Sequence, residues 1–412
     1  MDNILIKPRK LSGEVVVPPS KSMAHRAIIC AALSKGKSII DNIDLSDDII
    51  ATINAARSMG AKIEIDNRKV AVEGILSSPN NEDFIVDCNE SGSTLRFFVP
   101  ITMLLNQKKT FIGKGNLGKR PLDVFYEIFD KQGIKYFYKK DILDLQIEGK
   151  LKPDTFYVRG DISSQFITGL LFALPLLNDD SKIVIISKLE SKSYLDLTLS
   201  MLEKFGIEIE NKDYKEFIIK GNQEYKAMDY TVEGDYSQAA FFLSANYIGN
   251  DIDIKGLDEN SLQGDKEILK WIEVLKNDEN KVIDATNCPD IIPILTVCAA
   301  LTKGKTEIIN AGRLRIKECD RLTAISTQLN KLGADIIEHE ESLTIKGVDS
   351  LNGGYVDSFK DHRISMSLAI ASSRCKDDII IKDYMCVKKS YPHFYEDFKK
   401  LGGEINECDI WK

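Results

Sequence analysis

Two patterns alternate along this chain. The first is a helix end, then a glycine, then a strand-like alternation of apolar and polar positions. It appears as RSMGAKIEI around Gly60, DKQGIKYFY around Gly133 and EKFGIEIE around Gly206, and again as NKLGADIIE around Gly333 and KKLGGEINE around Gly402. A glycine there suits the left-handed residue just past a helix, and the alternation after it suits a half-buried strand. The intervals are 73, 73, 127 and 69 residues. The long interval is close to two short ones, so a further copy is expected inside it. The run WIEVLKNDENKVI over 271–283 reads as a glycine-free version.

The second pattern keeps the same beat. A polar or charged loop opens a helix of apolar and small residues. The six examples start at Pro19 (PSKSMAHRAIICAAL), Glu90 (ESGSTLRFFVPITMLL), Asp161 (DISSQFITGLLFALPLL), Gly234 (GDYSQAAFFLSANYI), Cys288 (CPDIIPILTVCAAL) and Lys360 (KDHRISMSLAIAS). Ser, Asp and Thr near these starts fit N-capping. The helix bodies are apolar nearly all round, so burial on every side is expected. Six copies of roughly 70 residues follow, each with two helices and several short strands. The natural grouping is two domains of three repeats, with a short crossing near Tyr230 to Gly234.

Composition narrows the class. Of 412 residues, 43% are hydrophobic and 29% charged, which is ordinary globular composition and excludes disorder. The net charge of −8 argues against a broad face for nucleic acid but leaves room for a local basic pocket. Eight cysteines include no C-x-x-C pair, and with four scattered histidines they show no metal spacing. They read as reduced thiols of a cytoplasmic protein. The stretch from Met1 to Arg9 has no apolar core or small-residue cleavage site, so no signal peptide is expected. The most apolar run, Phe166 to Leu177, is too short for a bilayer, which takes about 20 apolar residues.

The helix starts suggest a site. First-turn N–H groups and the helix dipole favour anions, and several starts facing one place would make an anion site. Lys21 and Arg26 lie in the first such helix, Arg96 in the second and Arg363 in the sixth, while Ser20, Ser22, Ser91, Ser93, Ser163 and Ser164 add hydroxyls. Any one serine is adequately explained as a cap. The four cations together, in an acidic protein, ask for an anionic ligand. A clamp tracking a nucleic-acid backbone would carry Lys and Arg along its helix bodies, and these bodies are apolar.

One loop holds two imperfect motifs. Gly113 to Gly118 reads G-x-G-x-x-G, but the next strand, Tyr136-Phe137-Tyr138, ends in Lys139-Lys140 instead of the acid a dinucleotide ribose needs. Gly113 to Lys119 reads G-x-x-x-x-G-K, but position 120 is Arg where a P-loop needs Ser or Thr. A nucleotide kinase is therefore a poor second. The loop reads as a turn before a helix with Pro121 at its first position, and Arg120 as its functional residue.

Three further segments carry chemistry. Asp290 follows Cys288-Pro289 at a helix start, where it would serve as an N-cap or as a base for a bound hydroxyl. The run from Arg313 to Arg321 packs six charges into nine residues. If it is helical, Lys317 and Arg321 share a face, with Glu318 beside two cations. Asp361-His362-Arg363 opens an apolar helix, and Lys388-Lys389-Ser390-Tyr391-Pro392 precedes the last one.

In order, the segments PPSKSMAHRA (18–27), ESGSTLR (90–96), GKRPL (118–122), SSQF (163–166), SKSYLDLTL (191–199), VEGDYSQAA (232–240), CPDIIP (288–293), RIKECDR (315–321), DHRISM (361–366) and KKSYP (388–392) resemble the enolpyruvyl transferases over essentially the whole chain. The match is closest to the branch acting on shikimate 3-phosphate. The resemblance implies an α/β (α+β) fold, a two-domain inside-out α/β barrel of six βαβαββ repeats, three per domain. The domains would be 1–19 plus 231–412, and 20–230, with ligands between them. It implies transfer of the enolpyruvyl group of phosphoenolpyruvate to the 5-hydroxyl of shikimate 3-phosphate. Phosphate is released, on the path to chorismate and the aromatic amino acids. No metal or organic cofactor is implied, nor any nucleic-acid or membrane partner. A cytoplasmic monomer is expected.

The resemblance also assigns residues. Lys21, Ser22, Arg26, Ser163, Ser164, Gln165, Ser191, Asp290 and Lys317 would hold shikimate 3-phosphate, with Tyr194 behind its phosphate. Lys21, Gly92, Arg120, Gln165, Arg321, Arg363 and Lys389 would hold phosphoenolpyruvate. Asp290 would be the base for the hydroxyl, Glu318 the acid and base at carbon, and Lys21 the support of the departing phosphate. Arg313 stands where some members carry Asn and is not counted as a binder, and Phe97 follows Arg96 where some carry Pro. The rival within the family acts on UDP-N-acetylglucosamine and carries a reactive Cys on the loop matching Gly113 to Arg120, which here has none. A non-catalytic anion-binding relative is the remaining alternative.

Overall fold

The computed structural model describes residues 2–75, 82–139, 141–277 and 281–408, so Met1, Lys140 and residues 278–280 of the 271–283 run lie outside it. The chain forms two compact units, Met1–Pro18 with Gly234–Lys412, and Pro19–Glu233. Each is built from the two sequence patterns. The five repeat glycines all take left-handed φ, from +66° at Gly133 to +108° at Gly60. Each ends a helix where a side chain would be strained.

In the unit Pro19–Glu233, one repeat runs strand Thr155–Val158, helix Ser164–Ala173, strand Ser181–Ile185, helix Lys192–Lys204, then hairpin Ile209–Lys212 and Glu216–Ile219. The first two strands pair in parallel, as a helical crossover requires, and the hairpin pairs antiparallel. A second repeat repeats that order from Phe84–Asp87 to Asp144–Glu148. In a third, the opening strand comes from the other end of the unit, since Tyr230–Thr231 lies parallel to Lys37–Asp41.

The unit that holds both termini follows the same rule. Lys281–Asp284 opens one sheet beside Lys305–Ile309, and Gly354–Asp357 opens another beside Ile379–Lys382. The second of these sheets is completed by Asn3–Lys7 and Glu404–Cys408. The N-terminal segment is thus a structural part of this unit. Its third sheet has only two described strands, Asp251–Lys255 and Ser12–Val16. Six repeats are therefore present, and the one around 234–277 is shortened to strand-helix-strand-helix. The glycine-free copy expected at 271–283 is a helix end followed by a strand, but the strand belongs to the next repeat. Helix Ile268–Asn277 is followed by Lys281–Asp284, which opens the next repeat.

The apolar helices are Lys21–Leu33, Gly92–Thr102 and Ser164–Ala173 in one unit, and Tyr236–Tyr247, Ile292–Ala300 and His362–Ala371 in the other. They are buried on nearly all sides, with the sheets outside them. The sheets are separately hydrogen-bonded, and no closed barrel forms among the described residues. Gly169 shows how close the inner helices come, because a Cβ there would lie 2.3 Å from the Arg96 carbonyl oxygen. Among the described residues no helix is long and apolar enough to cross a membrane.

Candidate active site

The helix starts behave as the capping pattern predicts. Ser20 accepts from Met23 N, Ser91 from Thr94 N, Ser163 from Gln165 N, Asp235 from Ser237 N and Asp361 from Arg363 N. The exception is the fifth. Asp290 sits in a 3₁₀ turn, Pro289–Ile291, and helix Ile292–Ala300 has no side-chain cap. Asp290 is thus not an N-cap, and its carboxylate serves other partners.

In the unit Pro19–Glu233, Lys21 opens the first inner helix and pairs with Asp48 at 2.8 Å. Ser22 is half-buried beside it, and its carbonyl accepts from Arg26 Nη1 at 2.7 Å. Arg26 also donates to the Thr198 hydroxyl and the Tyr194 carbonyl at 2.9 Å each, and lies 5.5 Å from the Phe97 ring centre. Burial lowers its pKa to about 10. This arginine stands in the helix body as a tie between helices, instead of at the helix mouth.

A second group gathers around Gly92. A Cβ there would come within 2.5 Å of Arg120 Nη1 and 3.0 Å of Arg96 Nη1. Arg96 in turn donates to Gln165 Oε1 at 3.0 Å and to the Pro121 carbonyl at 3.2 Å, and its guanidinium covers the Phe166 ring. Gln165 Nε2 donates to Ser93 Oγ at 2.9 Å. Gly92, Ser93, Arg96, Arg120 and Gln165 therefore form one polar cluster from three segments. Arg96 is 2% exposed, so it is not a solvated rim charge.

Ser163 caps the third inner helix and Ser164 is buried in its first turn. Ser191 is buried in left-handed geometry, φ 56°, immediately before helix Lys192–Lys204, which carries Tyr194. The 113–120 loop lacks the expected helix at Pro121. A short 3₁₀ turn, Leu117–Lys119, leads to Arg120, and the helix begins at Asp123. Its glycines are required by crowding, since a Cβ on Gly118 would lie 2.4 Å from Ile142 backbone.

The unit with the termini carries a charged cluster centred on Arg321, which is 1% exposed. Its Nε donates to Asp361 Oδ2 at 2.7 Å, its Nη1 to Asp290 Oδ1 at 2.8 Å and its Nη2 to Glu318 Oε2 at 2.8 Å. Lys317 Nζ lies 3.3 Å from Asp290 Oδ1, and Arg363 Nη2 lies 3.5 Å from Asp290 Oδ2. Lys317 and Arg321 converge on Asp290 although the run is not one helix. A 3₁₀ turn, Gly312–Ile316, gives way to extended backbone at Lys317, and helix Arg321–Lys331 starts after its cap Asp320. Burial lowers the Lys317 pKa to about 8, against the pull of Asp290. Burial disfavours the charge on the Arg321 guanidinium, and the carboxylates of Asp361, Glu318 and Asp290 outweigh that cost and hold it charged. Lys389 is buried at the end of turn Tyr384–Lys389, and the next residue, Ser390, accepts from Gln238.

Three residues of these clusters escape sequence reasoning. Ser93, partner of Gln165, reads only as one more helix-start hydroxyl. Asp48 sits in a polar helix start, and nothing local marks it as the partner of Lys21. Asp265, in the turn Gly264–Glu267, is 5% exposed. Burial, with the nearby Asp290 charge, raises its pKa to about 7. Its only sequence signal is an acid in an otherwise ordinary loop.

Comparison with known proteins extends this picture. The family model described as EPSP synthase (3-phosphoshikimate 1-carboxyvinyltransferase) matches residues 5–398. A 3-phosphoshikimate 1-carboxyvinyltransferase of Clostridioides difficile (strain 630) is 60% identical over 438 residues, covering 100% of both chains. One from Clostridium perfringens (strain SM101 / Type A) is 59% identical, covering 99% of this chain and 100% of its own. The solved EPSP synthase of Acinetobacter baumannii superposes with a TM-score of 0.82 at 23% identity, covering 99% of this chain and 100% of that one, and shares its fold. With a family match over nearly its whole length and relatives near 60% identity end to end, the chain belongs to the EPSP synthase (3-phosphoshikimate 1-carboxyvinyltransferase) family.

Proposed function

We propose that the chain transfers the enolpyruvyl group of phosphoenolpyruvate to the 5-hydroxyl of shikimate 3-phosphate, releasing phosphate, by addition and elimination. The observation that carries this reading is the end-to-end similarity to chains named for that reaction. The UDP-N-acetylglucosamine reaction is not favoured.

The clusters supply chemistry suited to it. Glu318 protonates the methylene carbon of phosphoenolpyruvate as the 5-hydroxyl oxygen attacks the neighbouring carbon. Asp290 takes the hydroxyl proton. Glu318 then removes a proton from the new methyl group, and the carbon–oxygen bond to phosphate breaks. Lys21 supports the departing phosphate. The two carboxylates sit on the two Nη groups of Arg321, so one guanidinium can hold acid and base apart in fixed positions.

Both substrates are anions, and cations offset the Coulomb cost of bringing them together. In this reading Lys21, Ser22, Arg26, Ser163, Ser164, Gln165, Ser191, Asp290 and Lys317 hold shikimate 3-phosphate. Lys21, Gly92, Arg120, Gln165, Arg321, Arg363 and Lys389 hold phosphoenolpyruvate. Arg120 is suited to a bidentate contact. The partners are small molecules, and the reading takes the chain as a cytoplasmic monomer.

The test is phosphate release from phosphoenolpyruvate with shikimate 3-phosphate and, in parallel, with UDP-N-acetylglucosamine. Release with the first alone, lost in Lys21→Ala, is expected. Release with the sugar nucleotide alone would overturn the reading.

A further inference from the structure

We propose that His25 is a positioning residue for phosphoenolpyruvate, acting through Thr52 and Thr94 on the helix start that carries Gly92. The proposal rests on the enolpyruvyl-transfer reading above. His25 Nδ1 lies 2.7 Å from Thr52 Oγ1, Thr52 Oγ1 lies 2.8 Å from Thr94 Oγ1, and Thr94 Oγ1 donates to Ser91 Oγ at 2.8 Å. All four side chains are at most 1% exposed. They join the inner helix that opens at Lys21, the outer helix Asp47–Ser58 and the inner helix that opens at Gly92.

Counting protons gives this chain a direction. Thr94 has one hydroxyl proton, and it goes to Ser91 at 2.8 Å, with the Asp48 carbonyl as a longer acceptor at 3.5 Å. Thr94 must then accept from Thr52. The Thr52 proton is thereby used, so Thr52 must accept from His25. His25 therefore carries a proton on Nδ1. Burial drives its pKa to about 3, which makes the ring neutral. Nε2 is buried without a hydrogen-bond partner and places no competing demand on the tautomer.

The chain ends where it bears on the ligand. Ser91 caps the helix whose next residue is Gly92, the residue against which Arg120 packs. The same outer helix carries Asp48, the partner of Lys21. One buried relay thus fixes the Gly92 turn relative to the Lys21 pair.

Two measurements test it. In the wild-type chain, nitrogen-15 NMR of the histidines, with His25 assigned by its loss in His25→Asn, should show a protonated Nδ1 and a bare Nε2. A protonated Nε2 would overturn the proposal. In kinetics, Thr94→Val should raise KM for phosphoenolpyruvate roughly tenfold while KM for shikimate 3-phosphate stays within about twofold. Thr94→Ser, which keeps the hydroxyl, should restore it. Unchanged or equally raised KM values would overturn the proposal. If Thr94→Val does not fold, the tautomer measurement still decides. A wild-type chain that releases no phosphate would instead defeat the proposed function, and the NMR result would report on the relay alone.

Discussion

Gly92 and Arg120 fit together because Gly92 has no side chain: a Cβ on it would lie 2.5 Å from Arg120 Nη1. The obstacle is the far end of a flexible side chain, so the fold can absorb an added methyl by moving the guanidinium. That movement is about 1 Å to reach ordinary contact distance. Gly92→Ala should therefore leave thermal stability nearly unchanged. It should raise KM for phosphoenolpyruvate by roughly ten- to a hundredfold, because misplacing a positioning group by such a distance costs that much. Steady-state kinetics with each substrate varied separately would check it, and an unchanged KM would remove Arg120 from the phosphoenolpyruvate contacts.

Asp290 and Glu318 share Arg321 but have different tasks in the proposed reaction. Asp290→Asn and Glu318→Gln keep shape and remove the proton-transfer capacity. Each should lower kcat by roughly 10²- to 10⁴-fold, the usual contribution of general acid–base catalysis. Substrate binding, measured by calorimetry, should change far less. Near-normal turnover in either variant would end that residue's assignment.

Arg321 organises three carboxylates from inside the core, and this makes its role partly structural. Arg321→Met would remove the ion pair of the fully buried Asp361 and take one partner each from Glu318 and Asp290. Breaking a buried pair in this way costs about 3–5 kcal/mol. Arg321→Lys keeps the charge but cannot reach three acids with one ammonium, so a loss of roughly 2 kcal/mol is expected. Urea unfolding monitored by circular dichroism gives both numbers. Equal stability of all three chains would mean that the carboxylates do not depend on the guanidinium.

Much of this arrangement is legible in the sequence, for physical reasons. A helix buried on all sides needs apolar residues at every position, so the six inner helices stand out. A helix that ends into a strand needs a left-handed residue, so the glycines mark the repeats. The shortened repeat was hidden because the strand Lys281–Asp284 occupies the place in the sequence where a hairpin would start, and only its parallel pairing with Lys305–Ile309 shows that it belongs to the next sheet. Two of the four helix cations also have partners that the sequence does not show. Arg26 reaches Thr198, 172 positions away, and Arg96 reaches Gln165, 69 positions away. Partners that distant leave no trace in local spacing. The same holds for Asp48 and Asp265, which matter through what the fold packs against them.

Lys317 gives a pH dependence of determinate sign. Its pKa falls from 10.5 to about 8 on folding, chiefly through burial. Between those values the unfolded chain holds the proton and the folded chain does not, so this residue's contribution to stability rises with pH from about 8 to 10.5. Below about 8 the buried charge is a full penalty on the fold. Binding has the opposite preference, because an anionic ligand needs the charged ammonium. kcat/KM for shikimate 3-phosphate should accordingly decline as pH rises through about 8, the free-enzyme value. Lys317→Arg, whose guanidinium stays charged throughout, should shift that decline to higher pH even if its maximum rate is lower. A pH profile unchanged by the substitution would assign the decline to another group and remove Lys317 from the substrate contacts.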